Sequence, residues 1–276
     1  MLGAGVPAPA PAALPAFDHV LIVVMENHSY VQVVGSASAP YITALAAQGA
    51  NFTESYAIEH PSEPNYLDLF SGSNQGVTDD SCPHTFAADN LASQLLAAEF
   101  SFVGYSEGLP EAGSTVCSAG DAPNTYKRKH NPWVNFSNVP AASNQPLTAL
   151  PADYADLPTL SFVIPNQCHD MHDCPVATGD AWLAANIDAY AQWAKTHASL
   201  LVLTWDENDY SEGNQIATIF VGAMVVPGDY AAPIDHYSVL ATLEALYGLP
   251  AIGGAADRTA ITDIWDTRLF ADGFEP

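Results

Sequence analysis

The chain has 276 residues, enough for one sizeable α/β domain with its own core. Its 6 lysines and arginines stand against 31 aspartates and glutamates, so the formal net charge is -25. A field of this sign repels nucleic acid and anionic bilayer surfaces, which argues against both as partners. The sequence has no apolar run of about 18 residues, so we also expect no integral membrane contact.

The four cysteines indicate disulfide bonds rather than a zinc site. An even number with one short-range pair is typical of proteins in an oxidising compartment, and no Cys-x-x-Cys pair occurs. Of the three possible connectivities, the simplest joins Cys82 to Cys117 and Cys168 to Cys174. We therefore expect a secreted or periplasmic protein.

Composition separates a main domain from two flanking segments. Residues 1–16 are rich in alanine and proline and lack the basic and apolar regions of a signal peptide, so we predict a flexible leader. The main domain is expected over residues 17–265, and residues 266–276 are expected to form a C-terminal tail.

The first predicted strand, residues 20–25, is an unbroken apolar run that stops at Glu26 and Asn27. Such a run, rich in β-branched residues, is typical of a strand buried on both faces of a sheet. Ligands of open α/β sheets bind at the carboxyl edge of the strands, so Glu26 and Asn27 are candidate site residues. The alternative is that they only end a strand.

A helix over 41–48 and a strand over 51–58 follow, and then a turn leads into a helix over 66–70. Ser62 lies in that turn, close to the start of the helix. Free backbone N–H groups and the helix dipole favour an oxyanion at such a position. A serine there can also serve only as a helix cap.

A helix over 90–99 and a strand over 100–105 precede a stretch, 106–158, that has no regular periodicity. Irregular stretches of this length in compact domains are often functional. This one carries Lys127, Arg128 and Lys129 immediately before His130. In so acidic a chain, three adjacent cations predict a loop that binds an anion. The alternative is a solvent-exposed loop in which the three charges have no binding role.

The remaining elements repeat the opening pattern. A strand over 159–164 is followed by a Cys168-to-Cys174 segment that contains Asp170 and His172, and a helix covers 179–197. The next strand, 199–204, again ends in acids, Asp206 and Glu207. A strand over 217–226 and a helix over 237–247, begun by Asp235 and His236, complete the domain. This alternation predicts a three-layer α/β sandwich, with a mostly parallel central sheet and helices on both faces.

Carboxylates from separate strands at one sheet edge repel each other unless a cation lies between them, so we predict one divalent metal ion. The oxygen ligands of Glu26, Asn27, Asp206 and Glu207 suit Ca²⁺, Mg²⁺ or Mn²⁺, with Ca²⁺ or Mg²⁺ favoured. Nearby histidines would let Zn²⁺ or Fe compete. A serine hydroxyl beside such a metal can become a nucleophile.

Four motifs carry a family resemblance: residues 24–29 (VMENHS), 62–65 (SEPN), 205–207 (WDE) and 235–239 (DHYSV). In this order they resemble the bacterial phosphoesterase family, over about residues 17–265. That family contains secreted acid phosphatases and non-haemolytic phospholipases C, and it belongs to the alkaline phosphatase superfamily. The resemblance therefore implies an alkaline-phosphatase-like fold.

The resemblance also implies roles for individual residues. One metal would be held by Glu26, Asn27, Asp206 and Glu207, and Ser62 would bridge to it as the nucleophile that becomes phosphoserine. His130 and His172 would bind phosphate or protonate the leaving group. Other substrate contacts are expected from Asn27, Lys129, Asp170 and His236.

The resulting hypothesis is a secreted, metal-dependent acid phosphatase that acts on small phosphate monoesters. A phospholipase C or phosphodiesterase of the same family is the first alternative. The charge of -25 and the lack of a basic amphipathic helix count against it. The second alternative is a non-catalytic calcium-binding surface protein, which would have no need of the Lys127–Lys129 cluster.

Overall fold

The computed structural model describes residues 14–266, so most of the predicted leader and tail lies outside the described residues. Leu14 packs against the core. The strands are β1 His19–Met25, β2 Ala50–Tyr56, β3 Phe102–Ser106, β4 Ser118–Ala119, β5 Tyr126–Lys127, β6 Asn144–Pro146, β7 Leu160–Ile164, β8 Ser199–Trp205, β9 Gln215–Val221, β10 Gly228–Tyr230 and β11 Ile234–Asp235. The α-helices are α1 Tyr30–Val33, α2 Pro40–Ala46, α3 Ser62–Ser71, α4 Leu91–Ala97, α5 Val176–Asn186, α6 Asp188–Ala194 and α7 His236–Leu246.

The main sheet has nine strands in the order β10-β2-β9-β8-β1-β7-β3-β6, with β11 paired to β2. The pairs formed by β1 with β7 and β8, and by β3 with β6 and β7, are parallel. Strand β9 runs antiparallel to both β8 and β2. The β8–β9 connection contains no α-helix, and a short link joins antiparallel neighbours. The expectation of a mostly parallel sheet is confirmed.

Strand β1 shows why the domain has three layers. Its side chains alternate between the two faces of the sheet, as in any extended strand. Val20, Ile22 and Val24 join one core with residues of α3, α4 and α7. The intervening Leu21, Val23 and Met25 join a second core with residues of α2, α5 and α6. Helices therefore cover both faces of the sheet, as predicted.

Two helices differ from the expectation. Helix α3 begins at Ser62, four residues before the predicted start, because Pro64 is tolerated in a first turn, where N–H groups lack intrahelical partners. The single helix expected over 179–197 is two helices that break at Ile187. Just before the break, the Asn186 side chain donates to the carbonyl of Trp182 and competes with the backbone ladder.

Both disulfides form as expected, between Cys82 and Cys117 and between Cys168 and Cys174. Within residues 14–266, no helix combines the length and the apolar composition needed to cross a bilayer.

Glu244, in α7, makes folding depend on pH. Its side chain is 1% exposed. Burial raises its pKa from 4.5 to about 7, although Oε1 accepts a hydrogen bond from the backbone N–H of Ile252. Between these two values the folded state holds a proton that the unfolded chain has lost, so this contribution to stability falls as pH rises. Near pH 8 we expect the free energy of unfolding of Glu244→Gln to exceed that of the parent by about 2 kcal/mol.

Near pH 4 the advantage of Glu244→Gln should nearly vanish, because Glu244 of the parent is then mostly protonated in both the folded and the unfolded state. Denaturant titrations at both pH values measure the effect, and Glu111→Gln, at an exposed position, provides the control. An equal gain for Glu244→Gln at both pH values would contradict this explanation.

Candidate active site

The ends of β1 and β8 bring two acidic segments together at one edge of the sheet. These strands pair in parallel up to Met25 and Trp205, so Glu26 and Asp206 follow side by side. The backbone N–H of Asn27 donates to Asp206 Oδ1 over 3.1 Å. Asn27 has φ +55°, a left-handed conformation that asparagine tolerates better than most residues. The chain therefore turns sharply at the position where the site begins.

Ser62, the first residue of α3, faces these acids. Its Oγ lies 3.2 Å from Glu26 Oε2 and 3.0 Å from Glu207 Oε1, and the residue is 2% exposed. The first turn of α3 has few amides left for an oxyanion, because Glu63 N–H donates to Asp80 and Pro64 has no N–H. The local geometry therefore places the serine hydroxyl between two carboxylates rather than in a nest of free amides.

Four buried carboxylates, Glu26, Asp170, Asp206 and Glu207, form what we name the acid cluster. Burial raises the pKa of Glu26, Asp170 and Asp206 well above the usual range, and a neighbouring carboxylate raises it further in each case. Burial likewise raises the pKa of Glu207 to about 8. So many buried acids without matching charge indicate a place where a cation would be strongly stabilised.

His130 lies inside this cluster. Its Nε2 is 3.2 Å from Glu26 Oε1 and its Nδ1 is 3.7 Å from Asp170 Oδ2, and the side chain is 1% exposed. The ring stacks on Tyr66 with 5.1 Å between centroids. Burial, and then the charge of Lys129, lower the pKa of His130 well below its usual 6.5, so the imidazole is neutral here.

Unpartnered buried atoms show that the donor set fits a metal ion. Asn27 Oδ1, Asp206 Oδ2, Asp170 Oδ2 and His130 Nε2 are all buried without a hydrogen-bond partner. Such atoms are costly to bury unless something else binds them. Glu26, His130 and Asp170 can also each offer one ligand atom within 4.8 Å of the others. Glu26 thus belongs to two possible donor sets, one made of oxygens alone and one that includes a nitrogen.

A surface cleft of about 410 Å³ opens beside the acid cluster, and we name it the rim cleft. It is lined by Asp80, Cys82, Cys117, Ser118, Lys127, Lys129, Gln167 and His172. Lys129 Nζ donates to Asp80 Oδ2 over 2.7 Å. His172 is partly exposed, its Nδ1 lies 2.7 Å from Asp173 Oδ1, and its N–H donates to Asp170 Oδ1. His172 therefore stands at the entrance rather than among the buried acids.

Comparison with known proteins decides the family. The model of the Phosphoesterase family matches residues 36–250. This chain belongs to the Phosphoesterase family. It is a hydrolase that acts on phosphoric ester bonds, which favours the predicted enzyme over the non-catalytic alternative.

Two relatives illustrate the range of the family. The chain is 55% identical over 259 residues to a protein of Mycobacterium tuberculosis named phosphatidylinositol-3-phosphatase, and the match covers 93% of this chain and 85% of the relative. It is 30% identical over 256 residues to an acid phosphatase of Aspergillus fumigatus. That match covers 86% of this chain but only 56% of the fungal protein.

Solved structures support the fold. A protein of the alkaline phosphatase superfamily from Vibrio parahaemolyticus superposes with a TM-score of 0.59 at 14% identity, covering 91% of this chain and 72% of that one. The lipoteichoic acid synthase LtaP of Listeria monocytogenes gives 0.61 at 10% identity, covering 91% and 76%. The phosphoesterase chain thus has the fold that its motifs implied.

Two expectations about this phosphoesterase change in detail. The run 127–129 does not act as one anion-binding unit, because Arg128 is buried and donates to Asn135 Oδ1 and to the carbonyl oxygens of Thr115, His84 and Val134. His236 is 1% exposed, and its Nε2 lies 2.6 Å from the carbonyl oxygen of Asp206. Its predicted substrate contact stays a prediction, and the geometry fits a residue that positions Asp206.

The sequence reasoning missed several residues that contact the candidate site, among them Tyr66 and His60. Tyr66 donates from its hydroxyl to Glu26 Oε1 over 2.5 Å. Its position four residues after Ser62, on the same face of α3, was the available signal. His60 contacts Glu207 through Nδ1 and stacks on Tyr210 with 4.0 Å between centroids. Nothing in its local sequence predicts that contact.

Proposed function

We propose that this protein is a metal-dependent phosphomonoesterase that transfers the phosphoryl group of its substrate to Ser62. The observation that carries the proposal is the placement of Ser62 Oγ between Glu26 and Glu207, at the start of a helix and next to buried unpartnered oxygens. A structural cap would not need two carboxylates that compete for a single hydroxyl proton.

The metal would be held by Glu26, Asn27, Asp206 and Glu207 together with Ser62. Such an ion would offset the charge of the carboxylates and lower the pKa of the serine hydroxyl. Tyr66 and His236 keep this set in place, because the Tyr66 hydroxyl fixes one oxygen of Glu26 and His236 contacts the backbone of Asp206.

In the first step, Ser62 Oγ gives up its proton to the carboxylate of Glu207, 3.0 Å away, and attacks phosphorus. The new Oγ–P bond forms while the bond from phosphorus to the ester oxygen breaks, and that oxygen leaves as an alcohol after taking a proton. We assign the proton donor to His172, since Asp173 orients its Nδ1 and the ring stands at the entrance of the site. The charge of Lys129 would offset that of the transferred group, and the neutral imidazole of His130 would donate a hydrogen bond to it.

In the second step, water attacks the phosphoserine. The bond between the water oxygen and phosphorus forms as the Oγ–P bond breaks, which releases phosphate, and Ser62 Oγ takes its proton back from Glu207. His172, having lost its proton to the leaving group, can take one from this water.

The substrate class and the location of the protein follow from different observations. The Mycobacterium tuberculosis relative is named for a lipid phosphomonoester, and the fungal relatives are named acid phosphatases, so phosphate monoesters are the shared class. Two disulfides suit an oxidising environment. We therefore propose a secreted enzyme of the acid phosphatase type.

A substrate panel tests this proposal. We expect hydrolysis of p-nitrophenyl phosphate to exceed that of bis(p-nitrophenyl) phosphate by at least about tenfold in kcat/KM. Chelation followed by dialysis should abolish turnover, and separate additions of Ca²⁺, Mg²⁺, Mn²⁺, Zn²⁺ and Fe²⁺ should identify the ion that restores it. Full activity in protein that contains no metal by elemental analysis would contradict the metal dependence, and a preference for the diester would favour the phosphodiesterase alternative.

A further inference from the structure

Lys127 is a cation for which residues 14–266 of this very acidic protein provide no partner. Among the lysines and arginines of residues 14–266, Lys129 and Arg258 pair with carboxylates, Arg128 is bonded to carbonyl oxygens, and Lys195 donates to two glutamines. The Lys127 ammonium forms neither a hydrogen bond nor an ion pair within that range. With 31 acidic residues in the chain, an unpaired ammonium is a conspicuous exception.

The local backbone places this cation in the wall of the rim cleft. Lys127 is the last residue of the short strand β5, and a 3₁₀ turn over Arg128–His130 follows it. Tyr126 and Arg128 are buried, whereas Lys127 and Lys129 both line the rim cleft. The hairpin of β4 and β5, in which Lys127 pairs with Ser118, and the Cys82–Cys117 disulfide support this wall of the cleft.

Asp80 links the rim cleft to the segment that carries the nucleophile. Asp80 accepts the N–H of Glu63, the residue after Ser62, and its other oxygen accepts from Lys129. Lys129 is 13% exposed and already engaged, so it belongs to the inner end of the cleft. Lys127 is the cation that remains free to bind an additional anionic group there.

We propose that Lys127 binds a second phosphate group of the substrate, so that the preferred substrates carry one phosphate at Ser62 and another in the rim cleft. This inference rests on the proposed phosphomonoesterase function and narrows its substrate class. A protein of charge -25 repels anionic substrates from a distance, and an unpaired ammonium in a cleft offsets that repulsion locally. A soluble bisphosphate and the head group of a phosphorylated inositol lipid would both supply the second phosphate.

Matched substrates and matched variants test the proposal. We expect the parent to prefer fructose 1,6-bisphosphate over fructose 6-phosphate, with a preference that declines as salt is added. Lys127→Gln should lower kcat/KM for the bisphosphate about tenfold and for the monophosphate about twofold, and Lys127→Arg should restore most of the loss. Lys195→Gln removes one charge from a lysine outside the cleft and should change neither value.

Equal losses on both substrates in Lys127→Gln, or no preference in the parent, would overturn the proposal. If neither fructose ester is hydrolysed, calorimetry with pyrophosphate and orthophosphate decides the binding claim, and the phosphomonoesterase function itself has failed only if p-nitrophenyl phosphate is not hydrolysed either. If Lys127→Gln binds pyrophosphate more weakly than the parent does but binds orthophosphate equally well, the claim is supported. Unchanged pyrophosphate binding overturns it. Inositol 1,3-bisphosphate, compared with phosphatidylcholine vesicles containing phosphatidylinositol 3-phosphate, distinguishes a soluble from a lipid source of the second phosphate.

Discussion

Replacing Ser62 with alanine should lower kcat/KM for p-nitrophenyl phosphate by about 10⁴-fold or more, because the substitution removes the atom that receives the phosphoryl group. The change deletes one oxygen from a side chain that is already small and buried. We therefore expect the thermal midpoint to move by no more than a few degrees. Steady-state kinetics and thermal unfolding of the same preparation measure both effects.

Ser71→Ala is the matched control for this substitution. Ser71 is the last residue of the same helix, it is buried, and its hydroxyl donates to backbone oxygens of Leu67 and Ser73. Losing these bonds should reduce stability by about 1 kcal/mol and leave kcat/KM unchanged. If Ser62→Ala keeps more than about a tenth of the parent activity, Ser62 is not the nucleophile.

The second large effect concerns the metal. Asp206→Asn should abolish stable metal binding, because the variant keeps an oxygen to accept from the N–H of Asn27 but loses the charge that holds a divalent ion. Asp170→Asn should retain the metal if the oxygen set of Glu26, Asn27, Asp206 and Glu207 is the binding site. Elemental analysis after dialysis gives the metal content, and the increase in melting temperature on adding metal gives a readout independent of activity.

Asp180→Asn provides the control for removing a buried acid. Asp180 accepts from the N–H groups of Tyr41 and Ile42 at the start of α2, in the layer that carries the second core. This variant should lose stability and keep its metal. If Asp170→Asn instead loses the metal while Asp206→Asn keeps it, the ion belongs to Glu26, His130 and Asp170, and the assignment of ligands is wrong.

The acidic residues at the strand ends were predictable because each follows a local apolar run, and parallel pairing of the strands then brings them together. The apolar runs of β1 and β8 stop abruptly at Glu26 and Asp206, and parallel pairing of the two strands places both ends at one edge. The prolines and acidic residues that flank Ser62 in the sequence indicate a turn just before a helix, so its position near a helix start could be expected. These three segments carry most of the candidate site, and each is visible as a motif.

The contacts that surround these motifs could not be predicted in the same way. His60, Tyr66 and Asp80 reach the site through side chains whose partners lie far along the chain or depend on the exact start of α3. The region over 106–158 lacks periodicity because it folds into short strands and 3₁₀ turns held by disulfide and side-chain contacts. The sequence predicted that Arg128 would bind an anion, because its partners in this irregular region could not be foreseen. In the structure it donates to carbonyl oxygens.

Trapping the covalent intermediate tests the central claim most directly. The metal-loaded enzyme is mixed with p-nitrophenyl phosphate, quenched in acid during turnover and examined by peptide mass spectrometry. We expect one phosphoryl group on Ser62 in the parent and in Ser71→Ala, and none in Ser62→Ala. A phosphoryl group on any other residue that depends on turnover would contradict the proposed mechanism, as would rapid turnover by Ser62→Ala.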